Sequence, residues 1–227
     1  MYKDVKELLN NLSIHYKDIS LYESALTHPS HNAEVFLHDD YERLEFIGDA
    51  VLGFVSAELF YKLHPEMDQG LMSKGRSYLV KSKSLANYAR KINLHLYIRT
   101  GHSIPQNQIY SSDKILEDVF EALIGAIYLD LGIVKATNYI KSFLYNDIKN
   151  INVDDLTDYK TKLQEAMQAE YRNSVEYRLI EEKGPPHDRT FTVRVTFNGL
   201  NLGVGTGKSK KQAEELAAKD ALSKGTY

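Results

Sequence analysis

The segment ERLEFIGDAVL, residues 42–52, opens a run whose apolar residues recur at helical spacing, which predicts one helix from about Asp40 to Leu63. On that helix Glu45 and Asp49 stand four residues apart and share a face, with Glu42 one turn earlier on the same side. A second predicted helix, ILEDVFEALIGAIYLD, carries Asp118 and Glu121 three residues apart in surroundings so apolar that the helix should be largely buried. A carboxylate desolvated without a partner is protonated or destabilising. Two helices that each present a carboxylate pair from apolar surroundings therefore suggest convergence on hard cations such as Mg²⁺, with Mn²⁺ as a substitute. One or two such ions would activate a water and neutralise a phosphodiester transition state. A single acidic pair on a helix is usually just solvated, so the weight rests on four together. Glu117 adjoins Asp118 but points roughly 100° away and reads as an exposed helix residue. A carboxylate-bridged di-iron bundle would need Glu-x-x-His pairs, and no His here has a Glu three positions before it.

Outward from these helices, the pattern from Val5 to about Lys149 is helical throughout, with breaks at Pro29, Pro65, Gly70 and the polar stretch TGHSIPQNQIYSSD. An all-α domain over residues 1–149 is expected. NINVDDLTD is short, polar and acidic, and residues 150–157 read as a linker without periodicity that would bury them. Residues 158–227 then follow the order α-β-β-β-α: a helix over YKTKLQEAMQAEY, strands near Val175–Ile180 and Thr190–Phe197, an Asn198-Gly199 turn, a third strand and an Ala-rich helix. The fold class is thus multidomain, all-α followed by α+β. With 227 residues, 43% hydrophobic and 26% charged, the composition is that of a soluble globular protein. Apolar stretches such as VLGFVSA are too short to span a bilayer. The N-terminus lacks the apolar core of a secretion signal, and cysteine is absent, so a cytoplasmic setting is expected and thiolate zinc sites are excluded.

The formal net charge of −3 is unevenly spread: residues 158–227 hold 12 Lys+Arg against 10 Asp+Glu, leaving 16 against 21 for residues 1–157. Basic groups are therefore local clusters. Lys208, Lys210 and Lys211 crowd the start of the last helix, around Ser209 as N-cap with Gln212 three residues on. Cations at the positive end of a helix dipole make sense chiefly where a phosphate lies. TGKS resembles the end of a nucleotide phosphate loop, but Leu202 stands where that motif needs Gly, so a nucleotide cofactor is not expected. Gln164 and Gln168, four apart on the domain's first helix, suit ribose hydroxyls or base edges in a shallow groove. The loop KGPPHDR carries His187 and Arg189 behind two stiffening prolines, suiting a second groove. Together these fit a module that reads A-form duplex by shape and by 2′-hydroxyl and phosphate contacts.

With these residues in hand, the chain resembles bacterial ribonuclease III in its minimal form, one nuclease domain followed by one double-stranded RNA-binding domain. ERLEFIGDAVL matches the family's hallmark block, ALTHPS at 25–30 its upstream motif, and EDVFEALIGAIYLD at 117–130 its second acidic helix. The resemblance implies that Glu45, Asp49, Asp118 and Glu121 form the metal-binding catalytic set, with Glu121 tied most directly to chemistry and Glu42 assisting at the RNA or dimer surface. It implies a homodimer whose two sites face one RNA valley, each cutting one strand to leave 5′-phosphates and short 3′ overhangs, with Phe46 packed into the partner subunit. Gln164, Gln168, His187, Lys208, Ser209, Lys210 and Lys211 would contact the duplex, and precursor ribosomal RNA is the implied substrate class. Two departures stand out: Tyr41 where the family usually has Asn, and Gln69 where many members have Glu. Neither is expected to touch the four ligands.

Overall fold

The structure, a computed structural model, describes residues 2–31, 40–171 and 174–225, without the side chains of Gln106 and Asp155. The chain divides into two compact units, Met1–Val153 and Asp154–Tyr227. The division falls inside the stretch read as a linker, which is more than bare connecting chain. Residues Val153–Leu156 form a one-turn helix, α9 in chain order, Leu156 is buried, and Asp154 pairs with Lys219 and accepts a hydrogen bond from the Tyr159 hydroxyl.

The first unit is helical: α1 (Val5–Asn11), α2 (Ile19–Ala25), α3 (Glu42–Leu63), α4 (Gln69–Leu79), α5 (Ser82–Lys91), α6 (Gln106–Ser111), α7 (Asp113–Leu131) and α8 (Ile133–Lys149). Helix α6 lies within the polar stretch read as a break, held by Ile109, which is fully buried. Helix α7 is the axis of the unit. Apolar on every side, it is buried continuously from Asp118 to Ile127, as a helix surrounded by others must be. Helices α2, α3, α5 and α8 pack around it. Each brings one stripe, such as Ala136, Ile140, Leu144 and Ile148 of α8, at intervals of four. Tyr88, Phe120, Tyr139 and Phe143 form a continuous aromatic cluster, with ring centroids 4.9–6.3 Å apart. Polar anchors fix the helix ends. The Asp130 carboxylate at the end of α7 accepts from the backbone of Lys17 and Asp18 and from Tyr22 Oη at 2.9–3.0 Å, and His64 Nε2 lies 2.7 Å from the carbonyl of Ile148.

The crossing of α3 over α7 is closer than side chains would allow. A Cβ on Gly48 would lie 1.8 Å from the carbonyl oxygen of Glu121, and one on Gly125 would lie 2.2 Å from that of Leu44. Two backbones thus meet where the two acidic pairs are displayed.

The second unit places α10 (Tyr159–Tyr171) and α11 (Lys210–Lys224) on an antiparallel sheet of order β1 (Glu176–Lys183), β2 (Thr190–Phe197) and β3 (Leu200–Gly207). Its core is Leu163 and Met167 of α10, Val193, Val195, Phe197 and Leu202 of the sheet, and Ala213, Ala217, Ala218 and Ala221 of α11. The alternating glycines of β3 face those alanines. A Cβ on Gly203 or Gly205 would meet α11 backbone at 2.5 or 2.2 Å, so the helix lies directly on the strand. β2 and β3 are joined through Asn198 and Gly199, both at positive φ, the hairpin turn read from the sequence. β1 runs three residues beyond its expected end, with a register irregularity between Leu179 and Glu181.

Candidate active site

The glycine-tight crossing brings Glu45 and Asp49 of α3 and Asp118 and Glu121 of α7 into one electrostatic neighbourhood. Asp118 and Glu121 are buried, at 5% and 8% exposure, while Glu45 is half-buried and Asp49 exposed. Burial, and then the negative charge of Asp49, Glu117, Glu45 and Asp118, pushes the Glu121 carboxyl up to about 8. Burial and Asp118 likewise raise Glu45, against the pull of Lys114. Asp118 Oδ1 is buried. Carboxylate oxygens, in a chain without thiols, are the donor type that suits a hard divalent cation, so the residues present fit such an ion. Among the described residues, no three acidic or imidazole side chains already stand in a ligand cluster. An amine occupies part of that space instead.

That amine belongs to Lys114, which the sequence reading missed. Its Nζ lies 2.6 Å from Asp118 Oδ1 and 3.6 Å from Glu45 Oε1, and the contact with Asp118 raises the pKa of the amine. The signal was available, since Lys114 precedes Asp118 by four residues on one helix. Tyr41 corrects a second expectation: it does touch a proposed ligand, its hydroxyl donating to Asp118 Oδ2 at 3.5 Å from a side chain only 6% exposed. No periodicity announces this, because Tyr41 is the N-cap residue of α3 and lies outside the periodic run of that helix. Gln69, at the start of α4, donates to Ser73 Oγ at 3.3 Å. Glu117 is half-buried rather than exposed, and its charge is felt by Glu121. Glu42 is exposed, its backbone N–H donating to Asp40 Oδ1 at 3.2 Å. Phe46 is 79% exposed, and a hollow lined by Leu21, Arg43, Leu44, Ile47 and Leu129 opens along the same helix.

In the second unit, Lys208, Ser209, Lys210 and Lys211 are all exposed at the start of α11. Ser209 Oγ accepts from Gln212 N at 3.1 Å, as an N-cap should. The reciprocal bond differs from a capping box, for Gln212 Oε1 takes the N–H of Lys208 at 2.7 Å, one residue earlier. Lys208 ion-pairs with Asp188 of the β1–β2 loop, next to the exposed His187. Loop and helix start are thereby drawn together, which sequence distance hides. On α10, Gln168 is exposed, whereas Gln164 is half-buried and spends its carbonyl on the N–H of Val175 at 3.4 Å. Among the described residues, no helix is long and apolar enough to cross a membrane.

The chain matches the family described as Ribonuclease-III-like over residues 18–148 and the double-stranded RNA binding motif over residues 159–224. Among solved structures, the nuclease domain of ribonuclease III from Campylobacter jejuni is 34% identical, with a TM-score of 0.59 over 65% of this chain and all of that one. Dicer from Pichia stipitis is 26% identical, with a TM-score of 0.51 over 92% of this chain and 94% of that one. A protein of Lactococcus lactis named Ribonuclease 3 is 37% identical over 98% of this chain and 97% of its own. One of the same name from Streptococcus pyogenes is 40% identical over 97% of each. Likeness at this level over nearly the whole of both bacterial chains settles the lineage: the protein is a member of the ribonuclease III family.

Proposed function

We propose that the protein is a divalent-metal-dependent endonuclease of double-stranded RNA, with Glu45, Asp49, Asp118 and Glu121 as its metal-binding catalytic set. The observation that carries this reading is the burial of Asp118 and Glu121 against the α3 pair, with Glu121 held above the usual carboxylate range. A group so placed gains most from a nearby cation, which restores the ionised form that burial disfavours. Bound there, Mg²⁺ or Mn²⁺ supplies acidity to a water and charge to the phosphodiester oxygens. The protein's part is positional. The glycine crossing fixes the spacing of the two acidic pairs, and Tyr41 orients Asp118.

The second unit supplies the preference for duplex. Lys208, Lys210 and Lys211 offer charge to phosphates beside the open N–H groups of α11, while Gln164, Gln168 and His187 face groove edges. Gln164 contributes through what its bond to Val175 leaves over. Phe46 and the hollow along the same helix put a knob and a socket on one surface, as a twofold self-complementary contact requires, and support a homodimer. Two such sites on one duplex account for staggered cuts that leave 5′-phosphates, 3′-hydroxyls and short 3′ overhangs. Structured precursors such as ribosomal RNA are the fitting substrates, and a chain without cysteine suits the cytoplasm. The domains are taken as residues 1–149 and 158–227.

The test is cleavage of a long RNA duplex in Mg²⁺ by the parent protein and by Glu121→Gln. Loss of cutting with binding retained is the expected result; cutting at the parental rate by the variant would overturn the assignment.

A further inference from the structure

We propose that Lys114 is a built-in counter-cation of the carboxylate crossing, a positioning residue that holds Asp118 and Glu45 together before metal arrives and yields its place when a divalent ion is bound. The role rests on the metal-site reading above. It follows from three observations. First, the Lys114 ammonium bridges the two helices, 2.6 Å from Asp118 Oδ1 on its own helix and 3.6 Å from Glu45 Oε1 on α3. Second, its partners are enclosed while it is not. The Asp118 and Glu45 side chains are 7% and 26% exposed, that of Lys114 69%, so a flexible stem reaches inward from solvent and has room to withdraw. Third, Asp118 Oδ1 is a buried oxygen in close contact with this ammonium, so withdrawal of the amine leaves a buried acceptor open to another cation. The Tyr41 hydroxyl stands 3.5 Å from the other oxygen of Asp118, Oδ2, and the burial of the side chain keeps it in place when the amine departs.

The consequence is competition. Two cations cannot share oxygens a few ångströms apart without strong repulsion, so Lys114 and a divalent ion exclude one another at Asp118. Lys114 thereby lowers the affinity of the site for metal, while keeping two carboxylates on facing helices from driving those helices apart when no metal is present.

The test is isothermal calorimetry of metal-stripped, full-length protein against MgCl₂ alone, without RNA, for the parent, Lys114→Met and Lys114→Arg. The Met variant is expected to bind Mg²⁺ roughly fivefold more tightly, the factor an ion pair of this exposure commands, and the Arg variant to bind like the parent. Should the Met variant not fold by circular dichroism, Lys114→Gln replaces it. A lysine that served only to staple the helices would change melting but leave Mg²⁺ affinity alone. Equal or weaker affinity in the Met variant therefore overturns the role of Lys114 and leaves the metal site standing, whereas failure of all three proteins to bind Mg²⁺ overturns both.

Discussion

Replacing Gly48 by Ala adds one methyl group at the crossing of α3 and α7, where the new carbon would lie 1.8 Å from the carbonyl oxygen and 2.6 Å from the carbonyl carbon of Glu121. These are backbone atoms inside a buried helix, so no rotamer change makes room. To reach an ordinary contact of about 3.4 Å the helices must part by roughly 1.5 Å, and Gly125, tight against Leu44 on the same crossing, moves with them. Overpacking of this kind costs about 1–3 kcal/mol, and the gain of about 1 kcal/mol from Ala in place of Gly in a helix offsets only part of it. We expect Gly48→Ala to melt up to roughly 8 °C below the parent. Cleavage should suffer more than stability, because the same shift separates Glu45 and Asp49 from Asp118 and Glu121, and misplacement by about 1 Å costs on the order of a hundredfold in rate. Gly53, five residues along the same helix, is the matched control. A Cβ there meets nothing within 4 Å, so Gly53→Ala should raise the melting temperature by a few degrees and leave cleavage unchanged. Thermal melting by circular dichroism and initial rates on one duplex substrate measure both effects. If Gly48→Ala is as stable and as active as Gly53→Ala, the close crossing does not set the geometry of the site.

Without metal, Glu121 holds its proton more tightly folded than unfolded, so its contribution is intact at low pH and is lost as pH rises from about 5 through 8, by roughly 3 kcal/mol in all. Urea melts in chelator across that range should show the decline, shallower in Glu121→Gln; a parent protein that gains stability over the same interval would contradict it. Replacing Lys208, Lys210 and Lys211 by Ala should weaken duplex binding and flatten its dependence on salt, since phosphate contacts release counterions. A filter-binding salt slope equal to that of the parent would count against phosphate contact. Phe46→Glu should shift the protein from dimer to monomer in analytical ultracentrifugation, whereas an unchanged mass would remove Phe46 from the interface.

Local chemistry made much of this protein legible in one dimension. A 3.6-residue period over residues 42–63, an Asn-Gly pair between two alternating segments and a Ser N-cap are each decided within a few neighbours, and each became the helix, hairpin or N-cap expected of it, though the Gln212 side chain bonds Lys208 and does not close a capping box. The pairing of Glu45 with Asp49 and of Asp118 with Glu121 was likewise a matter of helical spacing. What spacing along one helix cannot carry is the approach of two helices. That Gly48 and Gly125 are where backbones touch, that Tyr41 reaches Asp118 across 77 residues of chain and that Lys114 stands between α3 and α7 follow from packing around the buried α7. The same holds in the second unit, where Asp188 draws the loop of His187 to Lys208, and Val175 takes up part of the side chain of Gln164. The sequence by itself singled out the residues proposed to carry the chemistry, because residue type and helical face are local properties. Tertiary structure decided how their charges are balanced, because burial and the distance between charges exist only once separate elements are packed together.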